Sequence, residues 1–307
     1  MHRDRHRALG YASLATAGSL WGTGFVFGKW ALEELSVGHL VLLRFVFASL
    51  ALAVPLWREH RETPIRVRGA DLRLILTAGL IGIAVQYLVQ FGGLARTTVS
   101  HASLMVGMLP VMLAVAAVFF THERLDGIGW SGLVASTIGA ALVALGGGAA
   151  DTAAGATLTG DAMVVVSLIA GVAWILLSQR LMQRNHSPVS ATALVIIVGT
   201  FFLGVWVIAT EGIPPVTHLS GRAWLSVAAM GVLATAIATL LWNWGLARVP
   251  ASQAGVFVNL EPVVGAALGV LLFGDTFGGW SIVGGLLIVG AAVVVSLRKT
   301  SGQGASL

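Results

Sequence analysis

Ten apolar stretches of membrane-spanning length punctuate this chain, at about 9–31, 37–57, 72–95, 99–121, 127–147, 160–182, 188–210, 223–247, 251–273 and 279–297. Each matches the roughly 20 apolar residues that a helix needs to cross about 30 Å of hydrocarbon. Short breakers separate them, the clearest being Glu33 to Ser36, the arginine-rich 58–73, Thr97-Thr98, His122 to Asp126, 146–159, Gln183 to Ser187, Glu211 to Gly221 and Val249-Pro250. None is long enough to fold as a soluble domain. With 57% hydrophobic and only 10% charged residues and a mean hydropathy of +0.90, the chain has too little polar surface to coat a soluble globule. The expected fold is all-α, a polytopic membrane protein of ten transmembrane helices.

The basic opening, with Arg3, Arg5 and Arg7 ahead of an apolar run, imitates a signal peptide. The run continues from Leu9 to about Ala31, long enough to span, and is read as a retained first helix. The absence of cysteine excludes disulfides, thiolate metal sites and cysteine nucleophiles. Nothing in the pattern calls for a metal or a cofactor. A net charge of +5 raises the question of a nucleic-acid partner, which the placement of the charges answers. Of the 18 lysines and arginines, 14 fall in the segments on one side of the ten-helix plan and only Arg96 and Arg222 in the loops on the other, Lys29 and Arg44 lying within or at the edge of spans. That bias predicts a multi-pass protein of the cell membrane with both termini cytoplasmic. Basic residues that alternate with helices form no nucleic-acid patch.

An internal repeat adds a second constraint. A shift of 152 residues lays Gly93-Leu94-Ala95-Arg96 on Gly245-Leu246-Ala247-Arg248, Ser100 on Ser252, Pro110 on Pro262, Glu123 on Asp275, Gly127 on Gly279 and Gly132 on Gly284. One more residue of shift lays Trp21 on Trp174. Two five-helix repeats are therefore expected, residues 1–153 and 154–307. Because five is odd, the second crosses the bilayer upside down relative to the first, an architecture that places a solute site near the midplane. Arg96 and Arg248 then cap the C-terminal ends of equivalent helices, where a cation complements the macrodipole.

The ten-helix plan, Trp21-Gly22, Arg44, the Pro110 to Glu123 and Glu261-Pro262 to Asp275 segments and the glycine-rich fifth and tenth helices together resemble the drug/metabolite transporter superfamily, EamA-domain type, over about residues 9–298. Asp275 departs from the pattern, in which glutamate is more frequent. The resemblance implies a secondary transporter, an exporter of small amphipathic solutes such as amino acids, working by alternating access.

Glu261 is the one carboxylate near the middle of a span, about 16 Å into the ninth. A carboxylate at that depth is costly unless paired, hydrated or protonated, so Glu261 reads as a proton-coupling or substrate-amine site. A structural carboxylate hydrogen-bonded to the helix broken at Pro262, or paired with Arg44, is the plainer reading. Pro110 and Pro262 free the carbonyls of Val106 and Val258 and mark hinges or fixed kinks. Gln86 and Gln90, with Tyr87, form a polar stripe that either joins helices or meets solute. Gln253, Phe257 and Glu261 form a second stripe, which Asn259 joins only if the helix distorts near Pro262. Trp21 and Trp174 sit deeper than the belt of Trp30, Trp57, Trp130, Trp224 and Trp280 and form aromatic walls or packing. Arg44 either binds an anion or ties its helix to a neighbour's carbonyls, and Lys29 snorkels. Glu123 and Asp275 are expected to bond the start of the helix that follows each. Gly24/Gly28 and Gly265/Gly269 fit tight packing or the face of a homodimer.

The classes left are a carrier, a channel without coupling and an intramembrane serine hydrolase built on Ser131 in Gly129-Trp130-Ser131-Gly132. The phosphate loop of an ATP-driven pump is missing. No histidine shares the depth of Ser131 in another span, so no base activates it, and the chain is read as no enzyme.

Overall fold

Every described element of the chain is a helix. The computed structural model describes residues 2–121, 127–146, 155–184, 186–246, 248 and 255–297, and contains no strand among them. The helices are α1 His2–Ala31, α2 Val37–Glu62, α3 Gly69–Leu94, α4 Val99–Val106, α5 Leu109–Thr121, α6 Gly127–Gly146, α7 Leu158–Met182, α8 Pro188–Thr210, α9 Gly221–Gly245, α10 Leu260–Phe273 and α11 Gly279–Leu297. Five of them, α2, α3, α7, α8 and α9, are long and apolar enough to cross a membrane as single helices, with shorter apolar helices beside them.

A hydroxyl residue opens most of the well-defined helices. Ser36, Thr98, Thr157, Ser187 and Ser220 precede α2, α4, α7, α8 and α9, and each side chain accepts the amide N–H three residues on. Such caps satisfy donors that the helix leaves orphaned. Interruptions follow the 152-residue register. Gly79–Val85 within α3 and Val232–Ile237 within α9 are wound as π-helix, a geometry favoured at functional sites. A break at Gly107 and Met108 separates α4 from α5, and a 3-10 turn over Gly255–Asn259 precedes α10. These breaks fall beside Pro110 and Pro262, where the lost N–H donors predict them. Gly107 and Met108 recover tighter bonds, to the carbonyls of Leu104 at 2.9 Å and Met105 at 3.1 Å.

Large apolar side chains face outward: Leu271, Leu286 and Phe201 are 77%, 69% and 68% exposed. Water would penalise that mantle, and lipid does not. Inside, glycines bring backbones together. A methyl at Gly22 of α1 would stand 2.7 Å from the Glu261 carbonyl oxygen of α10. Gly24 faces Ala234, Gly28 meets Phe91, and Gly265 and Gly269 meet Ser103 and Ser100. Both small-residue pairs therefore serve packing inside the chain.

The helices α2 and α8 run antiparallel and are clasped at both ends. Ser36, the cap of α2, donates to Glu211 at the end of α8. Ser187, the cap of α8, donates to Glu59 in the last turn of α2 at 2.7 Å. Beside the first clasp Arg222 pairs with Glu33, and beside the second Arg184 pairs with Asp71 at 3.3 Å. Gly38 is needed for the first, because the Glu211 carboxylate lies where a larger residue would place its Cβ.

On the Glu211 side, Glu34 accepts the hydroxyl and the N–H of Ser220. Hydrogen bonds from that hydroxyl and then that N–H, with Arg222 nearby, hold the Glu34 carboxyl below its usual 4.5. A carboxyl lowered on folding stabilises fully above its unfolded value and loses that contribution as pH falls through the folded one. Glu34→Gln is expected to flatten the melting temperature against pH below about 4.5. An acid limb identical to that of the parent protein contradicts this.

Candidate functional site

The break ahead of α10 and the π-wound turns of α3 and α9 organise the polar interior. Arg44 of α2 is buried, its Nε donating to the Thr235 hydroxyl in the π segment of α9 at 3.0 Å. Thr235 in turn donates to the Met230 carbonyl five residues back, at 2.8 Å. The guanidinium lies 4.6 Å from the ring centre of Tyr87, 5.2 Å from Phe91 and 5.3 Å from Phe45. Arg44 thus ties α2 to a side-chain hydroxyl, not to carbonyls, and rests in an aromatic cradle.

Glu261, in the first turn of α10, is half-buried and within electrostatic reach of Arg44 and Tyr87. It accepts no hydrogen bond from any described residue. Its position suits it to bind a proton or a cationic group, with Arg44 as the fixed counter-charge. Asn259 is buried at the junction of the 3-10 turn and α10.

The helices α3 and α7 cross at Gly82 and Gly171, which place Trp174 and Gln86 in the same crossing. The Gln86 Oε1 and the Trp174 Nε1 are both buried without a hydrogen-bond partner in the chain. One atom is an acceptor and the other a donor. Gln90, one turn on, is also buried.

Trp21 belongs to a different wall. Its ring lies 5.2 Å from that of Trp242 on α9, and Trp242 packs with Tyr11, Leu14 and Phe257. No ring contact joins Trp21 to Trp174. The structure therefore brings Tyr87 together with Glu261 around Arg44, places Gln86 and Trp174 in the same α3–α7 crossing, and links Trp21 through Trp242 to the cluster that holds Phe257. Trp242 and Thr235 were not among the expected residues; the 152-residue shift from Gln90 leads to Trp242. Gln253 and Glu123 lie outside the described residues.

A second polar cluster occupies the end of the bundle where α3 gives way to α4. Asp161, 1% exposed in the first turn of α7, accepts the Thr97 hydroxyl at 2.6 Å and bonds His101 Nδ1 at 2.9 Å. Lys29 donates to the carbonyls of Leu94 at 3.1 Å and Thr97 at 2.6 Å. It caps the turn that closes α3 instead of snorkelling, where the Leu94 carbonyl otherwise has only the long Thr97 N–H bond at 3.4 Å. Asp275 accepts the Ser100 N–H at 2.9 Å, so it serves the start of α4 and not the helix after it. Arg96 donates to the Gly92 carbonyl at 2.7 Å and Arg248 to that of Trp244 at 2.9 Å, the same use 152 residues apart.

Ser131 is exposed and donates to the Ile128 carbonyl of its own helix at 2.9 Å. Among the described residues no group of three or more His, Asp or Glu side chains is placed to hold a metal.

The profile of the EamA-like transporter family matches residues 8–145 and 158–297. The chain is 22% identical over 289 residues to the uncharacterized transporter YetK of Bacillus subtilis, covering 94% of this chain and 87% of that protein. It is 25% identical over 289 residues to a probable terminal-alkyne amino-acid exporter of Streptantibioticus cattleyicolor, covering 92% and 91%. A solved crystal structure shares the fold with a TM-score of 0.62 at 20% identity, covering 95% of this chain and 98% of its own.

Proposed function

We infer from one premise, that this chain belongs to the EamA-like transporter family, that it exports small amphipathic organic solutes such as amino acids, by alternating access coupled to protons. It is a multi-pass membrane transporter whose relatives carry transporter names. The finer reading has ten spans in two inverted repeats, residues 1–153 and 154–307, with both termini cytoplasmic in the cell membrane. The paired π segments, the paired breaks and the two clasps between α2 and α8 support it.

The observation that carries the mechanism is Glu261, a carboxyl beside the interrupted start of α10 that takes no hydrogen bond from the described chain. On this reading it alternates between a proton and the solute's amine, while Pro110 and Pro262 mark the hinges. The unpaired Gln86 acceptor and Trp174 donor hydrogen-bond the solute's polar groups. Tyr87, Gln90, Asn259 and the aromatic walls of Trp21 and Phe257 line the path. The amino-acid class draws on the exporter of similar sequence.

Solute counterflow in proteoliposomes tests transport directly. Saturable exchange of a labelled amino acid is expected with the purified protein and not with empty vesicles. Flux that rises linearly with concentration would make the chain a pore.

A further inference from the structure

A polar cavity lies away from Glu261 and Arg44, where the ends of α2 and α7 meet the starts of α3 and α8. It encloses about 550 Å³, and its walls include Arg66, Arg68, Asp71, Arg184, His186 and Glu59. Both carboxylates are already engaged. Asp71 accepts the Arg68 N–H at 3.2 Å and faces Arg184 at 3.3 Å and His186 at 3.5 Å. Glu59 accepts the Ser187 hydroxyl. The guanidinium groups of Arg66 and Arg68 are exposed and pair with no described residue.

Two further features point to an anion. The helix α3 starts at this cavity with Arg68 at its cap, which supplies no side-chain acceptor to the first-turn N–H groups. Those amides and the macrodipole favour negative charge. Just outside, Trp57 of α2 is 53% exposed and Arg61 stacks on its ring at 3.9 Å. An exposed tryptophan topped by arginine marks the headgroup depth of a bilayer. The cavity therefore opens at the level of lipid phosphates, with uncommitted donors on its rim.

We propose that this cavity binds the phosphodiester headgroup of an anionic membrane lipid, held by Arg66, Arg68 and the start of α3. The site is independent of the solute and of Glu261. Each arginine near a lipid surface contributes about 1 kcal/mol, a factor of about five, so losing both weakens retention about thirtyfold.

The full-length protein in nanodiscs provides the test. Phosphatidylglycerol mixed into phosphatidylcholine is expected to raise the melting temperature and to remain bound in native mass spectra. Arg66→Gln with Arg68→Gln should lose most of that rise and the retained lipid, yet melt like the parent protein in phosphatidylcholine alone. Arg58→Gln with Arg73→Gln, which removes equal charge outside the cavity, should keep both. The proposal is overturned if the two double variants lose the effect equally, or if the Arg66/Arg68 variant keeps it. It is also overturned if inorganic phosphate reproduces the rise without anionic lipid, since that makes the cavity a site for soluble phosphate.

Discussion

Asp161→Ala is expected to lower the unfolding free energy by about 3 kcal/mol. Asp161 holds two buried partners at once, the Thr97 hydroxyl and His101 Nδ1. Both partners are themselves buried, Thr97 at 1% and His101 at 2% exposure, so water does not replace the lost acceptor. A buried donor left without a partner costs about 1–3 kcal/mol, and the Thr97 hydroxyl would be one, while His101 loses its bond to a buried carboxylate. The same residue joins α7 to the start of α4, and Thr157 bonds the Arg96 carbonyl alongside it. Asp161→Asn keeps one acceptor oxygen and should recover about half the loss. Equilibrium unfolding in detergent measures both variants, and a loss below about 1 kcal/mol for the alanine would mean the cluster relaxes or hydrates at little cost.

Glu261→Gln is expected to reduce proton-driven solute transport by about ten- to a hundredfold, the range of a typical coupling free energy. Glutamine matches the carboxyl in size and keeps an acceptor, but neither exchanges a proton nor balances Arg44. Counterflow, which moves solute without net proton movement, should survive in the same vesicles at raised solute concentration, because glutamine still accepts a hydrogen bond from the solute's amine but no longer balances its charge. That split distinguishes a coupling residue from one that only supports the fold. If the variant keeps both its rate and its pH dependence, Glu261 is structural and the proton enters elsewhere. If it loses counterflow as well as driven transport, Glu261 acts chiefly on the solute.

The parts of the fold that repeat were legible in the chain. The register of Gly93 to Arg96 on Gly245 to Arg248 leads to two arginines with the same carbonyl bond, and the same offset joins the two π segments and the two breaks. The prolines announce the breaks because a missing N–H is a local property. The π winding has no such local signal, since Gly79–Val85 reads as ordinary apolar helix. The candidate residues can be named one by one from the chain, but their grouping cannot. Depth placed Trp21 and Trp174 together, whereas their actual neighbours, Trp242 and Gly82, depend on how α1 meets α9 and α7 meets α3. Lys29 misleads for a related reason: a lysine near a helix end is placed to snorkel until the carbonyls closing α3 are brought within its reach.

The ion pairs beside the two clasps carry a further message about assembly. At one end the first half of the chain supplies the acid, Glu33, and the second half the base, Arg222. At the other the first half again supplies the acid, Asp71, and the second half again the base, Arg184. Two first halves packed against each other in this geometry would set Glu33 against Asp71 at both ends, and two second halves would set Arg184 against Arg222. Like charges facing across a packed helix pair are repulsive. The polarity of these two bridges therefore works as a mating code: each half repels its own kind and accepts the other, which favours the pairing of unlike halves over the pairing of like ones.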